Sequence, residues 1–215
     1  MEQTAIQLEN KITLRNFLRT YPDIIINDSN EEVINAIFNY FKGVVNPAYS
    51  LDKGILLTGS IGIGKTTLLK RIYNFQRIKS LQYGGPYFEI MDCRHILREF
   101  LIDGFKVADK YGRKSFYLKH CSRNGSLPDL TKPRTYCFDD LGLEEANSKI
   151  YGNSQSIMAE IMLDRYTMFK DYGMITHAIS NLSVDNLIKV YGDRTADRFK
   201  EMFNHFILTG PSFRK

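Results

Sequence analysis

A short segment in the first third of the chain has the residue types that bind phosphate groups. Residues 59–67 read Gly-Ser-Ile-Gly-Ile-Gly-Lys-Thr-Thr and match the pattern G-x-x-x-x-G-K-[ST]. Glycines let the backbone turn so that successive N–H groups point at anionic oxygens, and a helix that begins there adds its own N–H groups. The segment therefore predicts a site for ATP and Mg²⁺, contacted by Gly59, Ser60, Ile61, Gly62, Ile63, Gly64, Lys65, Thr66 and Thr67.

Within this loop two side chains have distinct predicted roles. Lys65 is expected to reach the β- and γ-phosphates, and the Thr66 hydroxyl is expected to ligate Mg²⁺.

Two adjacent carboxylates, Asp139 and Asp140, follow an apolar segment at 135–138. A P-loop ATPase needs one carboxylate for the Mg²⁺ shell and a second to orient the attacking water. We assign these roles to Asp139 and Asp140 respectively, with capping of a following helix as the alternative.

The carboxylate at the water-orienting position is shorter than usual. Asp140 has one methylene fewer than the Glu often found there, so hydrolysis is expected but its rate is not predicted. Asn181, after the apolar segment 174–179, places an amide where it could touch the γ-phosphate or the water. An Asn at that point is equally consistent with a turn.

Two arginines late in the chain are candidates for charge neutralisation during phosphoryl transfer. Arg194 and Arg198 are four residues apart and share one face if the segment is helical. An arginine supplied by a neighbouring subunit can stabilise the charge that develops on the transferred phosphoryl group. The alternative is surface pairing with Asp193 or Asp197, which would contribute little.

Apolar segments of strand and helix type alternate along the chain and must position these residues. The predicted strands are 54–58, 87–91, 135–138, 174–179 and 206–208. The predicted helices are 4–19, 30–41, 68–73, 95–101, 156–169, 184–191 and 195–203. Such alternation predicts an α/β fold of three layers, in which a mainly parallel five-stranded sheet is covered on both faces. Ligands of such sheets bind at the carboxyl ends of the strands.

Composition narrows the class of protein. The chain has 215 residues, of which 43% are hydrophobic, so a folded domain with a substantial core is expected. No apolar run approaches the ~20 residues needed to span a bilayer, and the N-terminus lacks a signal-peptide pattern. Three cysteines suit a reducing cytosol, so a cytoplasmic protein without a membrane partner is expected. Cys93 with His95, and Cys121 with His120, lack the paired spacing of a zinc site.

Positive charge is concentrated in one segment. The net charge of the chain is +5, and residues 104–134 alone carry eight basic and two acidic residues, a net of +6. Cations interleaved with aromatic rings are typical of surfaces for single-stranded DNA, which we predict here. The alternative is a solvated face whose aromatic rings pack on the core. The aromatic residues concerned are Phe105, Tyr111, Phe116 and Tyr117, and the basic ones include Lys106, Lys110, Arg113, Lys114, Lys119, Arg123 and Lys132.

Taken in order, these motifs resemble the AAA+ ATPases of the DnaC/DnaI helicase-loader group and the related IstB transposition helpers. The resemblance covers about residues 28–215, which predicts an AAA+ domain there and a short N-terminal helical extension at 1–27. It implies that Asn181 takes the sensor 1 position and that Arg198 is the arginine finger, with Arg194 a second candidate. It also implies that Arg214 contacts the nucleotide. The blocks that carry it are 59–67, Phe-Asp-Asp-Leu-Gly at 138–142, Ile-Ser-Asn-Leu-Ser at 179–183, 191–199 and Gly-Pro-Ser-Phe-Arg at 210–214.

The resemblance implies a function in DNA replication. It predicts a DNA-associated ATPase that loads or remodels a replicative helicase, binds single-stranded DNA and forms a homo-oligomer in the ATP state. A transposase is the alternative partner, because IstB-like helpers use the same ATPase core. Helicase loaders usually carry a separate helicase-binding domain before the ATPase core. In this sequence about 27 residues precede that core. A small-molecule P-loop kinase and a nucleotide-bound scaffold that hardly hydrolyses are further alternatives.

Overall fold

Within the residues that the structure describes, seven strands form one central sheet and one hairpin. The computed structural model describes residues 13–83, 88–121, 125–143 and 156–213. The strands are β1 Gly54–Thr58, β2 Phe88–Asp92, β3 Phe116–Cys121, β4 Gly125–Pro133, β5 Thr135–Asp139, β6 Thr176–Ile179 and β7 Phe203–Ile207. The sheet has the order β2-β5-β6-β1-β7, and each neighbouring pair is parallel. The predicted five-stranded parallel sheet is therefore confirmed.

The central strands are buried on both faces, as their apolar sequences require. Every residue of β1 and of β6 is buried, which is the pattern of parallel strands covered by helices on both sides. Gly54 permits the close approach of the two strands, because a Cβ there would lie 1.6 Å from the carbonyl oxygen of Thr176. β1 is the fourth strand of the sheet, between β6 and β7, so the P-loop emerges at the carboxyl edge beside the end of β6.

Helices cover the sheet on two sides. They are α1 Leu14–Thr20, α2 Glu31–Phe41, α3 Lys65–Tyr83, α4 Cys93–Asp103, α5 Lys106–Tyr111, α6 Ile157–Tyr172, α7 Val184–Tyr191 and α8 Asp193–Met202. Residues of α1, α2 and α3 form one buried cluster with the sheet, and residues of α4 to α8 form the other. The predicted three-layer arrangement is therefore confirmed.

Several helix and strand boundaries differ from the predictions, for local reasons. α1 begins at Leu14 because Thr13 is extended and its hydroxyl accepts the Asn16 N–H, and residues 4–12 of the predicted helix lie outside the described residues. α3 begins at Lys65 itself, three residues earlier than predicted. β7 begins at Phe203, three residues before the predicted strand 206–208, because its pairing with β1 begins there.

The described part of the predicted N-terminal extension, from residue 13 onward, packs against the domain. Phe17 of α1 is fully buried, with its ring 5.3 Å from that of Phe38 and 5.6 Å from that of Phe75. This first helix therefore shares the core of the sheet, while the boundary between residues 27 and 28 stays a prediction.

The basic segment contains a hairpin that sequence patterns did not predict. β3 and β4 pair with each other and lie between α5 and β5. The buried guanidinium of Arg165 ties the base of this hairpin to the sheet. It donates to the Thr176 hydroxyl at 2.6 Å and to the carbonyl oxygens of Tyr111 and Arg134 at 2.9 Å. Burial lowers the pKa of Arg165 to about 9.

Within the described ranges, none of the helices is both long enough and apolar enough to cross a membrane.

Candidate nucleotide site

A cavity of about 530 Å³ lies at the carboxyl edge of the sheet. The P-loop, the ends of β5 and β6, and the segment before α2 form its walls. Six of the nine predicted P-loop residues, Gly62 through Thr67, line it, together with Asp139, Asp140 and Asn181. The structure thus brings together side chains that are 116 residues apart in the sequence, as from Lys65 to Asn181.

The P-loop has the backbone that the glycine spacing predicts. Gly59, Gly62 and Gly64 have φ values of +144°, +86° and +91°, which residues with a Cβ rarely adopt. The Lys65 ammonium donates to the carbonyl oxygens of Gly59 at 2.7 Å and Ser60 at 2.8 Å. These residues thus hold the lysine by main-chain atoms, while the Ile61 side chain is exposed.

Thr66 and Asp139 meet as a hydroxyl and a carboxylate that suit a divalent cation. The Thr66 hydroxyl donates to Asp139 Oδ1 at 2.9 Å. Burial raises the pKa of the Asp139 carboxyl, the Thr66 hydrogen bond opposes that shift, and the Asp140 carboxylate adds to it. A cation beside these oxygens would remove the cost of two neighbouring carboxylates, and Mg²⁺ prefers such oxygen ligands. The two residues therefore fit the predicted Mg²⁺ site.

Asp140 is held from both sides. The Asn181 Nδ2 group donates to Asp140 Oδ1 at 3.0 Å, and Asn181 Oδ1 accepts a hydrogen bond from the Lys65 ammonium at 2.7 Å. The Arg94 guanidinium lies 3.4 Å from Asp140 Oδ2. Asp140 also has a φ of +59°, an uncommon conformation for a residue with a Cβ, of the kind that clusters at functional sites. The carboxylate is therefore fixed in position by its surroundings.

Arg94 is a site residue that sequence reasoning missed. It is the second residue of α4, and it also bonds the Asp92 carboxylate at 3.1 Å. Asp92 lies beside Asp139 in the register of β2 and β5. The sequence did contain a signal for Arg94. Polar residues that follow the predicted strand 87–91 lie at the same carboxyl edge of a parallel sheet as those that follow 135–138.

The apolar side chains of the cavity lining were also missed. They come from the segment before α2, from α2, from the P-loop and from the segment after β7, and are Ile24, Ile25, Ile34, Ile63, Leu208 and Phe213. No local spacing connects these residues. Only the position of β7 beside β1 brings the C-terminal segment to the P-loop.

The predicted arginines do not line this cavity. Arg194 is exposed on α8, and the Arg198 guanidinium lies 5.0 Å from the centre of the Tyr166 ring. Asp197 pairs with Lys200 at 3.4 Å rather than with an arginine. Arg214 lies outside the described residues.

The basic segment has many of its charges already paired. Lys110 bonds Glu99 at 2.8 Å, Arg113 bonds Asp164 at 2.6 Å, and Lys114 bonds Asp109 at 2.6 Å. Of the four aromatic residues, Tyr111 and Phe116 are buried, whereas Phe105 is exposed and Tyr117 is half-buried beneath Arg134. Packing on the core, the alternative interpretation, therefore holds for two of the four rings. Arg123 lies outside the described residues.

Comparison with known proteins finds similarity only at the level of structure. No protein-family model matches the chain, and no curated protein sequence is significantly similar to it. A crystal structure of the DnaC helicase loader superposes with a TM-score of 0.57 at 18% identity, covering 89% of this chain and 96% of that one. A crystal structure of DnaI gives 0.57 at 18% identity, covering 94% of each chain.

A replication initiator has the same fold over part of its length. The structure of DnaA bound to AMPPCP and single-stranded DNA gives a TM-score of 0.52 at 13% identity, covering 88% of this chain and 49% of that one. Identities this low establish the fold alone. The chain has the P-loop AAA+ fold of the helicase loaders, as the order of its motifs predicts.

Proposed function

We propose that this chain binds ATP with Mg²⁺ and hydrolyses it. The observation that carries the proposal is the network in which Lys65, Asn181 and Asp140 are joined by hydrogen bonds of 2.7 and 3.0 Å, beside the Thr66–Asp139 pair. A phosphate-binding lysine, a cation site and a fixed carboxylate are the parts that phosphoryl transfer to water requires.

Each of these side chains has a role in the proposed reaction. The Lys65 ammonium exchanges carbonyl partners for β- and γ-phosphate oxygens, and charge-assisted bonds to phosphate are stronger than bonds to neutral oxygens. Thr66 and Asp139 hold Mg²⁺, which supplies further positive charge to the same phosphates when bound. The Asp140 carboxylate orients the attacking water and accepts its proton. Asn181 hydrogen-bonds both Lys65 and Asp140 and so holds the two side chains at a fixed distance from each other.

The proposal extends to a DNA-associated role in replication. We propose an ATP-dependent loader or remodeller of a replicative helicase that binds single-stranded DNA. The fold shared with DnaC, DnaI and DNA-bound DnaA supports it, as do the net charge of +5 and the exposed Lys106 and Lys119. Help to a transposase remains the alternative, because the same fold serves both roles in the family that the motifs resemble.

Assembly in the ATP state is part of the proposal. Arg194 and Arg198 do not line the cavity of their own chain, and Arg194 is exposed and Arg198 partly exposed on α8, so we propose that they act on the nucleotide of a neighbouring copy. Such a head-to-tail contact is heterologous and extends to a ring or an open helix. Homo-oligomers that form with ATP are therefore expected.

One assay separates the proposed function from its alternatives. ATP hydrolysis is measured with and without a single-stranded oligonucleotide, and then with a replicative helicase or a transposase from the same host. Stimulation by the oligonucleotide and by the helicase supports the loader, whereas stimulation by the transposase supports the transposition helper. Turnover that needs a small acceptor and ignores DNA would identify a kinase, and retained ADP without turnover would identify a scaffold.

A further inference from the structure

The segment that follows β7 returns to the P-loop and bonds it through main-chain atoms. The Thr209 hydroxyl donates to the carbonyl oxygen of Ser29 at 2.5 Å, which fastens the start of this segment beside α2. Further along, the main-chain N–H of Phe213 donates to the carbonyl oxygen of Gly62 at 2.9 Å. We call residues 209–213 the C-terminal segment. It holds the phosphate-binding loop from outside the loop's own sequence.

The Phe213 side chain contacts a second glycine of the loop. Two of its ring carbons lie 3.9 Å from the point where a Cβ on Gly64 would stand. The ring is 40% exposed, so it covers this part of the loop from the solvent side. One residue therefore contacts Gly62 through its main chain and Gly64 through its ring.

The bond from Phe213 fixes the direction of the peptide unit between Gly62 and Ile63. In a trans peptide the C=O and the N–H point in opposite directions. Because the Gly62 oxygen accepts from Phe213, the Ile63 N–H points away from the donor on the C-terminal segment. Within the ranges that the structure describes, no main-chain oxygen accepts that N–H. Since Ile63 lines the cavity while its side chain is buried, this N–H is a donor available to an anion.

Order in the P-loop before ligand binding matters because of its glycines. Gly59, Gly62 and Gly64 all have positive φ values, and glycine loses more conformational freedom than any other residue when it is fixed. A loop that becomes ordered only when the ligand binds loses affinity by that amount, whereas a loop held in advance does not. The C-terminal segment contacts two of these three glycines.

We propose that Phe213 is a positioning residue for the phosphate groups of the nucleotide, because its N–H holds the Gly62 carbonyl so that the Ile63 N–H faces a phosphate oxygen. The inference rests on the proposed ATP site and adds to it a residue that acts through the P-loop. The role does not involve the nucleotide base, so it extends to any polyphosphate in this site. It depends on one N–H, which most substitutions of Phe213 retain and which proline removes.

Calorimetric titration with two probes tests the inference. Mg·ATP and Mg·tripolyphosphate are titrated into the wild-type protein, Phe213→Pro, Phe213→Leu and the control Tyr172→Ala. Tyr172 is 42% exposed and lies at the end of α6, outside the cavity lining. We expect Phe213→Pro to weaken both probes by the same factor, about 10- to 100-fold, the range for one hydrogen bond to a charged group.

The matched variants separate the N–H from the ring and from the fold. Phe213→Leu keeps the N–H and an apolar side chain, so it should bind both probes far more tightly than Phe213→Pro does. Tyr172→Ala should bind them as wild type does. Melting temperatures measured without ligand should be alike in all four proteins, because the substitutions lie at partly exposed positions.

The amide of Ile63 gives a direct readout of the proposed contact. In protein labelled with ¹⁵N-isoleucine, the Ile63 resonance is identified by its loss in Ile63→Val, where the valine is unlabelled. Saturating tripolyphosphate should move the Ile63 amide proton downfield in wild type and Phe213→Leu, because a hydrogen bond to a charged acceptor is short and strong. The shift should be smaller in Phe213→Pro. A general loss of stability would not produce this pattern.

The outcomes separate this inference from the ATP site itself. If Phe213→Pro bound both probes as wild type does, or if Phe213→Leu were as weak as Phe213→Pro, the N–H would have no such role and the inference would be wrong. Weaker ATP binding with unchanged tripolyphosphate binding would contradict it, as would an Ile63 amide that bound tripolyphosphate leaves unmoved in wild type. Wild-type protein that bound neither probe would overturn the proposed ATP site, and the inference with it.

Discussion

The buried imidazole of His177 should make the protein acid-sensitive in a defined pH window. His177 lies in β6, is 3% exposed and accepts the Ile55 N–H on Nδ1 at 3.0 Å. The rings of Phe41 and Phe88 lie 5.2 and 5.1 Å from its own. Burial, and then the charge of Arg165, lower the pKa of His177 from 6.5 to about 3.

The sign and size of the effect follow from proton linkage. Because the folded pKa lies below the unfolded one, the unfolded chain binds the proton first, and stability falls as the pH drops below about 6.5. With pKa values of 6.5 in the unfolded chain and about 3 in the folded protein, protonation lowers the free energy of unfolding by about 2 kcal/mol at pH 5.0. At pH 7.5 the same effect is about 0.1 kcal/mol. The loss continues until the pH reaches about 3.

Urea unfolding at the two pH values measures this loss. The free energy of unfolding is compared at pH 7.5 and 5.0 for wild type, His177→Asn and the control His95→Asn, whose side chain is 58% exposed. An Asn oxygen can still accept the Ile55 N–H but does not titrate. Apart from Glu99, whose pKa the charge of His95 helps to lower, the carboxylates keep the same surroundings in all three proteins. We therefore expect wild type and the control to lose about 2 kcal/mol more than His177→Asn between the two pH values. Equal losses in all three would refute the assignment of a buried, neutral imidazole.

Four further predictions concern the site and its partners. Lys65→Ala should lower Mg·ATP affinity by at least about 100-fold, because it removes a charge-assisted bond to phosphate, and wild-type affinity by calorimetry would contradict the P-loop assignment. Asp140→Asn should retain ATP but lose at least about 100-fold in kcat, so an unchanged steady-state rate would remove Asp140 from the mechanism. Arg198→Ala should also bind ATP and hydrolyse it poorly. Mixing it with Asp140→Asn protein should restore activity at sites that the two variants share. An inactive mixture that stays monomeric by sedimentation would argue against an arginine finger that acts between subunits. Replacing Lys106 and Lys119 by Ala should reduce the slope of log affinity for single-stranded DNA against log salt by about 1.4, and an identical slope by fluorescence anisotropy would place the DNA elsewhere.

Much of the fold could be predicted because its signals are local. The P-loop motif lies between an apolar strand and a helix, so its position at the carboxyl edge follows from the sequence of 54–73 alone. Asp139 and Asn181 were assigned to the same edge because each ends an apolar strand, and parallel strands bring their carboxyl ends together. The structure places both near the P-loop.

The boundaries that failed were decided by tertiary packing. The start of β7 depends on its pairing with β1, from Gly54 beside Phe203 to Thr58 beside Ile207, rather than on its own sequence. The hairpin of β3 and β4 has no strong alternation, and the buried Arg165 holds its base to the sheet. Neither contact leaves a periodic pattern in the chain.

The sequence by itself determined which chemistry is available and at which edge of the sheet it lies, because motif spacing and strand ends are local properties. Only the tertiary structure decided which groups touch. The strand order β2-β5-β6-β1-β7 places Arg94 against Asp140, Asn181 between Lys65 and Asp140, and Phe213 against the P-loop. These contacts join residues that are far apart in the chain. They form because the strand order and the two hydrophobic clusters together fix where the segments at the carboxyl edge lie.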